Sequence, residues 1–566
     1  MLLERCGVAA AFGVISIHNM PILDAIGRRD RIRFVPARGE AGATNMADAF
    51  ARVSGGLGVV ITSTGTAAGN AAGAMVEAQT AGTPVLHLTG QIDSPHLDRD
   101  RAFIHEARDQ LGMLASVSKA AFRVRSAASA LSTVGEAVRR ALTPPAGPVS
   151  VEIPIDIQSA EIARPGPLAA PAPEPPRPDE AALDELADRL AAARRPLLWL
   201  GGGARRATAG ARRLAAMGFG VVTSTQGRGV VPEDDRASLG AFNQAPPVEA
   251  FYGGCDAVLV VGSRLRGNET LGYTLGLPVP LYQIDADALA ENRCYPSALF
   301  VRSDAALALE GLADRLAGRV SIEPSFRDDL ARIRGAAERA LRDSLGPYAG
   351  FVDALARAAG DEFVWVRDVT LSNSIWGNRL MTLRDPRAGV HALGGGIGQG
   401  LPMGIGAAVA AAGRRTIAMV GDGGLQLSLG EIATAVQENV NLLLLVMNDA
   451  GYGVIRNIQD ARYGGRRYYA DLLTPDFGAI CRAVGMSHVR IDRIEDAAPL
   501  LDKAPVRGGP AMVEVDMTAI GDFATSFAGP PVRTATAESI RAGRRQSRGK
   551  TGGGPEKAFG PAHEET

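Results

Sequence analysis

Two aspartates define the chemistry open to this chain. Asp422 follows an apolar run at 416–420 (TIAMV) within Gly421-Asp422-Gly423-Gly424, and Asp449 follows a second run at 442–447 within Asn448-Asp449-Ala450-Gly451. Each run reads as a short, fully buried strand. Between them, 429–438 spaces Leu429, Ile432, Ala433 and Val436 along one face of a helix. One crossover helix would set the two strand ends side by side, presenting Asp422 and Asp449 at the carboxyl edge of a parallel sheet. Two carboxylates and a backbone carbonyl at Gly451 suit a hard divalent cation such as Mg2+, with phosphate oxygens completing the octahedron. Gly421, Gly423 and Gly424 let backbone N–H groups approach those oxygens.

The elements that must position this pair are legible on either side. The segment 349–535 alternates strand-like and helix-like stretches, with strands at 362–368 (EFVWVRD), 416–422, 442–449 and 511–517. Hydroxyl and amide groups at 370–374 (TLSNS), including Ser372 and Asn373, follow the first of these. A glycine-rich turn at 391–398 (HALGGGIG) leads into another helix. Residues 1–163 alternate in the same way, with strands at 58–63, 84–90 and 148–154. Here Glu40 follows a strand-like RFVPA and opens a helix with Ala43, Met46, Ala47 and Phe50 on its packing face. A carboxylate in a first helical turn is also what the helix dipole favours on structural grounds alone.

The chain has 566 residues, enough for three or four domains. A Pro-rich linker at 164–180 separates the first domain (1–163) from a central one (181–320). A helix-like connection at 321–348 leads to the third domain (349–535), and the Gly/Arg-rich tail at 536–566 reads as disordered. Three successive doubly wound α/β domains with parallel sheets are expected. A net charge of −1 gives no electrostatic case for nucleic acid or an anionic membrane. Cys6, Cys255, Cys294 and Cys481 are too scattered for a zinc site or a disulfide framework. The N-terminus lacks a secretory-leader pattern and no run reaches about 18 apolar residues, so a cytoplasmic protein is expected.

The stretch from Gly421 to Asp449 resembles the thiamine diphosphate (ThDP) motif that begins GDG and ends NN. The chain as a whole resembles the acetohydroxyacid synthase, pyruvate decarboxylase and benzoylformate decarboxylase family, in the order pyrimidine-binding, central and diphosphate-binding domain. The resemblance implies ThDP held by Mg2+, with Asp422, Asp449 and the Gly451 carbonyl as metal ligands and Tyr452 and Gly453 beside them. Asp449 stands where Asn is usual. The segment 38–55 is similar to the family's glutamate motif, with Gly39, Ala49 and Phe50 in place of His, Gly and Tyr. Glu40 would then hydrogen-bond the cofactor's pyrimidine and promote loss of the thiazolium C2 proton. The glycine turn resembles the segment whose bulky residue, here Ile397 flanked by Gly395, Gly396 and Gly398, wedges beneath the cofactor. Ser372 and Asn373 are assigned to the diphosphate. The family builds its active sites across a subunit boundary, which implies a homodimer or homotetramer.

On the substrate side, 12–21 (FGVISIHNMP) is similar to the family's loop over the active site and offers His18 and Asn19. Residues 62–70 (TSTGTAAGN) offer Thr64, and His105 stands where acetohydroxyacid synthases carry the Gln of Phe-Gln-Glu, with Lys119 matching a later lysine. No equivalent of the paired histidines of pyruvate decarboxylases is legible, which argues against aldehyde release by their acid/base route. The central segment lacks the Gly-Met-His-Gly-like run of flavin-keeping synthases, so FAD is not expected, and 201–204 (GGGA) is compatible with nucleotide binding but reads first as a structural strand–helix turn. The expected function is decarboxylation of a 2-oxo acid and carboligation to a second carbonyl, as in acetolactate synthase. The alternatives are a non-ligating decarboxylase, an acyltransferase, a flavin oxidase and a non-catalytic ThDP-binding subunit.

Overall fold

The computed structural model describes residues 1–163, 165–503 and 508–530; the expected tail at 536–566 lies outside them. It contains three sheets, of six, five and six strands, and every strand pair is parallel. The first is ordered Arg33–Pro36, Ala10–Gly13, Gly58–Thr62, Val85–Gln91, Val149–Pro154, Ala120–Arg123. The third repeats the same order with Gly389–His391, Phe363–Arg367, Arg415–Gly421, Leu442–Asn448, Ala511–Asp516 and Ser487–Ile491. In both, the chain leaves the first strand to one side and returns on the other. A crevice therefore opens at the carboxyl ends of the first and third strands, where such sheets bind ligands. The central sheet is shorter, and its first and third strands, Pro196–Leu200 and Ala257–Val261, are likewise adjacent.

The expected strands form because their residues are apolar on both faces and helices cover both faces. Arg415–Gly421 and Leu442–Asn448 pair over six positions, from Thr416 beside Leu442 to Gly421 beside Met447. The connection between them departs from expectation. A short helix, Asp422–Gln426, starts at the aspartate itself, and a second, Glu431–Gln437, follows after a break. Ile432 packs inward as expected, but Ala435 and the carboxylate of Glu431 are buried where Ala433 was expected. The break rotates the second helix relative to a continuous one.

The first and third domains pack through two helices, Glu40–Ser54 and Gly400–Ala410, in one shared core that includes Met46, Ala47, Phe50, Met403 and Ile405. Gly406 permits the approach, since a Cβ there would stand 2.0 Å from the Met46 carbonyl oxygen. The helix Phe326–Asp343 occupies the expected connection between the second and third sheets. Among the described residues no helix is long and apolar enough to cross a membrane.

Candidate active site

The carboxyl edge of the first sheet gathers residues from four loops. Glu40 follows Arg33–Pro36, His18 follows Ala10–Gly13, Thr64 follows Gly58–Thr62, and His105 follows Val85–Gln91. Glu40 is half-buried at the first position of its helix, and its carboxylate accepts a hydrogen bond from Asn70 Nδ2 at 3.1 Å. The imidazoles of His18 and His105 meet edge to face with centroids 5.2 Å apart. Burial, and then the neighbouring His105, push the His18 pKa below its ordinary value. Two imidazoles thus meet on this edge from loops distant in sequence, a contact no local motif could reveal.

Two expected substrate residues are committed elsewhere. The Asn19 side chain is fully buried; it donates to the Val14 carbonyl at 2.9 Å and accepts from the Ser16 N–H at 2.8 Å, closing its own loop. Thr64 is also buried, its hydroxyl 3.0 Å from both Gln91 Oε1 and Gln110 Oε1. Gln110 further accepts from the Gly65 N–H at 2.7 Å and donates to Glu152 at 3.0 Å. These two residues shape the edge instead of facing a ligand. Lys119 sits before Ala120–Arg123, at the opposite end of the sheet from His105, and donates to the Arg140 and Thr143 carbonyls.

The carboxyl edge of the third sheet assembles the expected cofactor residues. The Asp449 N–H donates to Asp422 Oδ1 at 3.2 Å, and the Thr474 hydroxyl donates to Asp422 Oδ2 at 2.9 Å. Arg456 stands 3.1 Å from Asp449 Oδ1. Burial raises both aspartate pKa values, and the Asp422 charge raises that of Asp449 further. Like charges converging in a poorly hydrated site are what a cation relieves. A Cβ on Gly423 would lie 2.8 Å from the Tyr452 ring and 3.1 Å from the Gly451 carbonyl oxygen, so that carbonyl turns toward the GDG turn. Gly453 leaves room for the Asp449 carboxylate, which a Cβ would strike at 1.8 Å.

The two residues expected to meet a diphosphate lie on this same edge. Ser372 Oγ and Asn373 Oδ1 are buried without a hydrogen-bond partner, at the exit of Phe363–Arg367. Among the described residues no three His, Cys, Asp or Glu side chains converge as a metal cage, so a cation here would rest on two carboxylates, a carbonyl and ligand oxygens. Gly395 and Gly398 adopt positive φ, 83° and 81°, and leave the Ile397 side chain partly exposed.

Sequence reasoning missed the groups that hold these turns. Asp368 is fully buried and accepts from the Val369 N–H at 2.8 Å and the Gly398 N–H at 2.9 Å; burial lifts its pKa to about 6. Glu77, in the first domain, accepts from the Leu393 N–H at 2.8 Å and the Gly394 N–H at 2.5 Å, fixing the glycine turn of the third. Buried Arg52 joins Glu77 to Asp48 and donates to the His391 carbonyl at 2.6 Å. Glu431 reaches the other way, from the third domain to the first, and accepts from the Arg38 and Gly39 N–H groups. A carboxylate without a neighbouring motif carries no signal of such a role in sequence.

Three models of the thiamine pyrophosphate enzymes match in order: the N-terminal TPP binding domain over residues 1–113, the central domain over 183–312, and the C-terminal TPP binding domain over 371–515. A probable 2-ketoarginine decarboxylase of Pseudomonas aeruginosa is 33% identical over 86% of this chain and 87% of its own length. The chain belongs to the thiamine pyrophosphate enzyme family. Other members similar to it are the acetolactate synthase of Mycobacterium bovis, 28% identical over 89% of this chain and 84% of that protein, and the acetolactate synthase isozyme 1 large subunit of Escherichia coli, 27% identical over 91% and 92%. ThDP, the same molecule as TPP, is therefore the cofactor of this family member.

A cavity of about 450 Å3 lies apart from both edges, where the three domains meet. Gly202, Gly203, Arg205, Arg264 and Arg266 line it, so the expected structural turn at 201–203 borders open space.

Proposed function

We propose that this ThDP enzyme is Mg2+-dependent, decarboxylates a 2-oxo acid and returns a proton to the acyl fragment, releasing an aldehyde. The observation that carries the reading is the His18–His105 pair on the same sheet edge as Glu40. Bound ThDP would supply the electron sink that permits loss of CO2. Asp422, Asp449 and the Gly451 carbonyl would hold Mg2+ against its diphosphate, with Ser372 and Asn373 meeting the remaining oxygens. Glu40 would hold a proton at the pyrimidine, and the two imidazoles would deliver one to the fragment that CO2 leaves behind, each offering a ring N–H as donor. The decarboxylase name of the 33% identical relative agrees with this outcome.

Carboligation is the second reading, supported by acetolactate synthases that align over about nine-tenths of the chain. The two differ in whether a proton or a carbonyl captures the acyl fragment. Both place Glu40 of one chain beside the diphosphate side of a partner. Support for a homodimer or homotetramer comes from Ile15, Ile17 and Ile104, which flank the histidines and are 59%, 70% and 69% exposed in the single chain. We also read the enzyme as flavin-free, which a colourless preparation would support.

The test is NMR product analysis with ThDP, Mg2+ and a panel of 2-oxo acids, pyruvate and a guanidinium-bearing one among them, with CO2 followed in parallel. Aldehyde matching CO2 supports the first reading. A 2-hydroxyketone or acetolactate-type product moves the assignment to the second.

A further inference from the structure

Glu431 sits in the third domain, nine residues after Asp422, yet its carboxylate ends in the first domain. Oε1 accepts from the Arg38 N–H at 3.0 Å and the Gly39 N–H at 3.2 Å, and Oε2 accepts from the Thr434 hydroxyl at 2.6 Å. These two N–H groups immediately precede Glu40. The helix Glu40–Ser54 has Gly39 at its cap position and no side-chain cap of its own, so the carboxylate of another domain does that work. Gly42 makes room for it, because a Cβ there would lie 2.3 Å from Oε1. Arg38 donating to Gln437 at 2.8 Å and Arg33 pairing with Glu438 at 2.7 Å hold the two elements together on either side.

We propose that Glu431 is a positioning residue: by fixing the Arg38–Gly39 backbone it sets where the Glu40 carboxylate stands at the sheet edge. The side chain of Glu40 is itself tied by one hydrogen bond, from Asn70, so its backbone determines its reach. This role rests on the catalytic reading of Glu40. It also ties that residue to the helix that follows its own chain's metal-side turn, so with sites built between chains one buried side chain links two neighbouring sites.

The test uses the full chain and three variants, Glu431→Ala, Glu431→Gln and Gly42→Ala, with Glu40→Gln as reference. Backbone hydrogen exchange at residues 38 and 39 is measured without cofactor. ThDP affinity and C2–H exchange of bound ThDP are then measured separately. Glu431→Ala should lose amide protection at those positions and slow C2 exchange about 10- to 100-fold, the effect of misplacing a reacting group by about an ångström, with ThDP affinity changed only a few-fold. Glu431→Gln keeps an acceptor oxygen and should restore both readouts. Gly42→Ala keeps the helix and should reproduce the loss by displacing the carboxylate. Wild-type C2 exchange in Glu431→Ala and Gly42→Ala, with the amides unprotected, would overturn the proposal. Wild-type exchange in Glu40→Gln would instead overturn the catalytic reading of Glu40 on which it stands.

Discussion

The backbone N–H of Asp449 donates to Oδ1 of Asp422 across 3.2 Å, joining two strand ends whose carboxylates share one poorly hydrated corner. Arg456 pairs with Asp449 at 3.1 Å, yet each acid is held above its ordinary pKa mainly by burial. Replacing Asp422 by Ala should weaken Mg2+-dependent ThDP binding by at least about 10- to 100-fold, the cost of disturbing a metal's supporting shell. Asp449→Asn keeps an oxygen and should retain binding. Isothermal titration of ThDP at fixed Mg2+ separates these outcomes.

If Glu40 of one chain serves the diphosphate side of another, Glu40→Gln and Asp422→Ala each disable every site in a homo-oligomer. Mixing the two inactive variants under conditions that exchange subunits should then regenerate sites with both residues intact. Recovered CO2 release, together with a mass by light scattering of at least two chains, is the expected result. No recovery despite demonstrated exchange would place Glu40 and Asp422 in the same chain's site.

His18→Ala and His105→Ala should slow aldehyde release more than CO2 release in a single turnover, because proton delivery follows decarboxylation. A general acid of this kind contributes about 100- to 10,000-fold. Equal slowing of both steps would assign the pair to substrate binding.

The buried network at Glu77 should be costly to break. Glu77→Ala strips Arg52 of one of its carboxylates and leaves the Leu393 and Gly394 N–H groups without their acceptor. Removing one partner of a buried pair costs about 3–5 kcal/mol. Urea unfolding should register that loss, and ThDP affinity should fall with it because the glycine turn is released.

His87 provides a pH test away from the catalytic edge. It is fully buried between Thr62 and Ser150, and burial lowers its pKa from 6.5 to about 4. The unfolded chain therefore takes up this proton more readily than the folded one. The stability tied to the neutral imidazole is complete above pH 6.5 and is lost as pH falls toward 4. The difference amounts to about 3 kcal/mol at its limit. His87→Gln should flatten this part of the stability profile measured by urea midpoints at pH 7, 6, 5 and 4.5.

The sequence by itself determined the strand-rich skeleton and the cofactor. Apolar runs buried on both faces dictate parallel strands, and GDG with NDAG at matched strand ends places Asp422 and Asp449 together, because both patterns are local. The position of Glu40 at a helix start was legible for the same reason. Tertiary structure alone decided the rest. His18 and His105 meet because strand order makes their loops neighbours, while Asn19 and Thr64 turn away because buried polar groups must first satisfy nearby backbone and side chains. Glu77 and Glu431 became positioning groups only through the packing of the first domain on the third. A carboxylate reaching across a domain boundary is fixed by the burial of unpaired N–H groups on the far side, and nothing next to it in the sequence records that need.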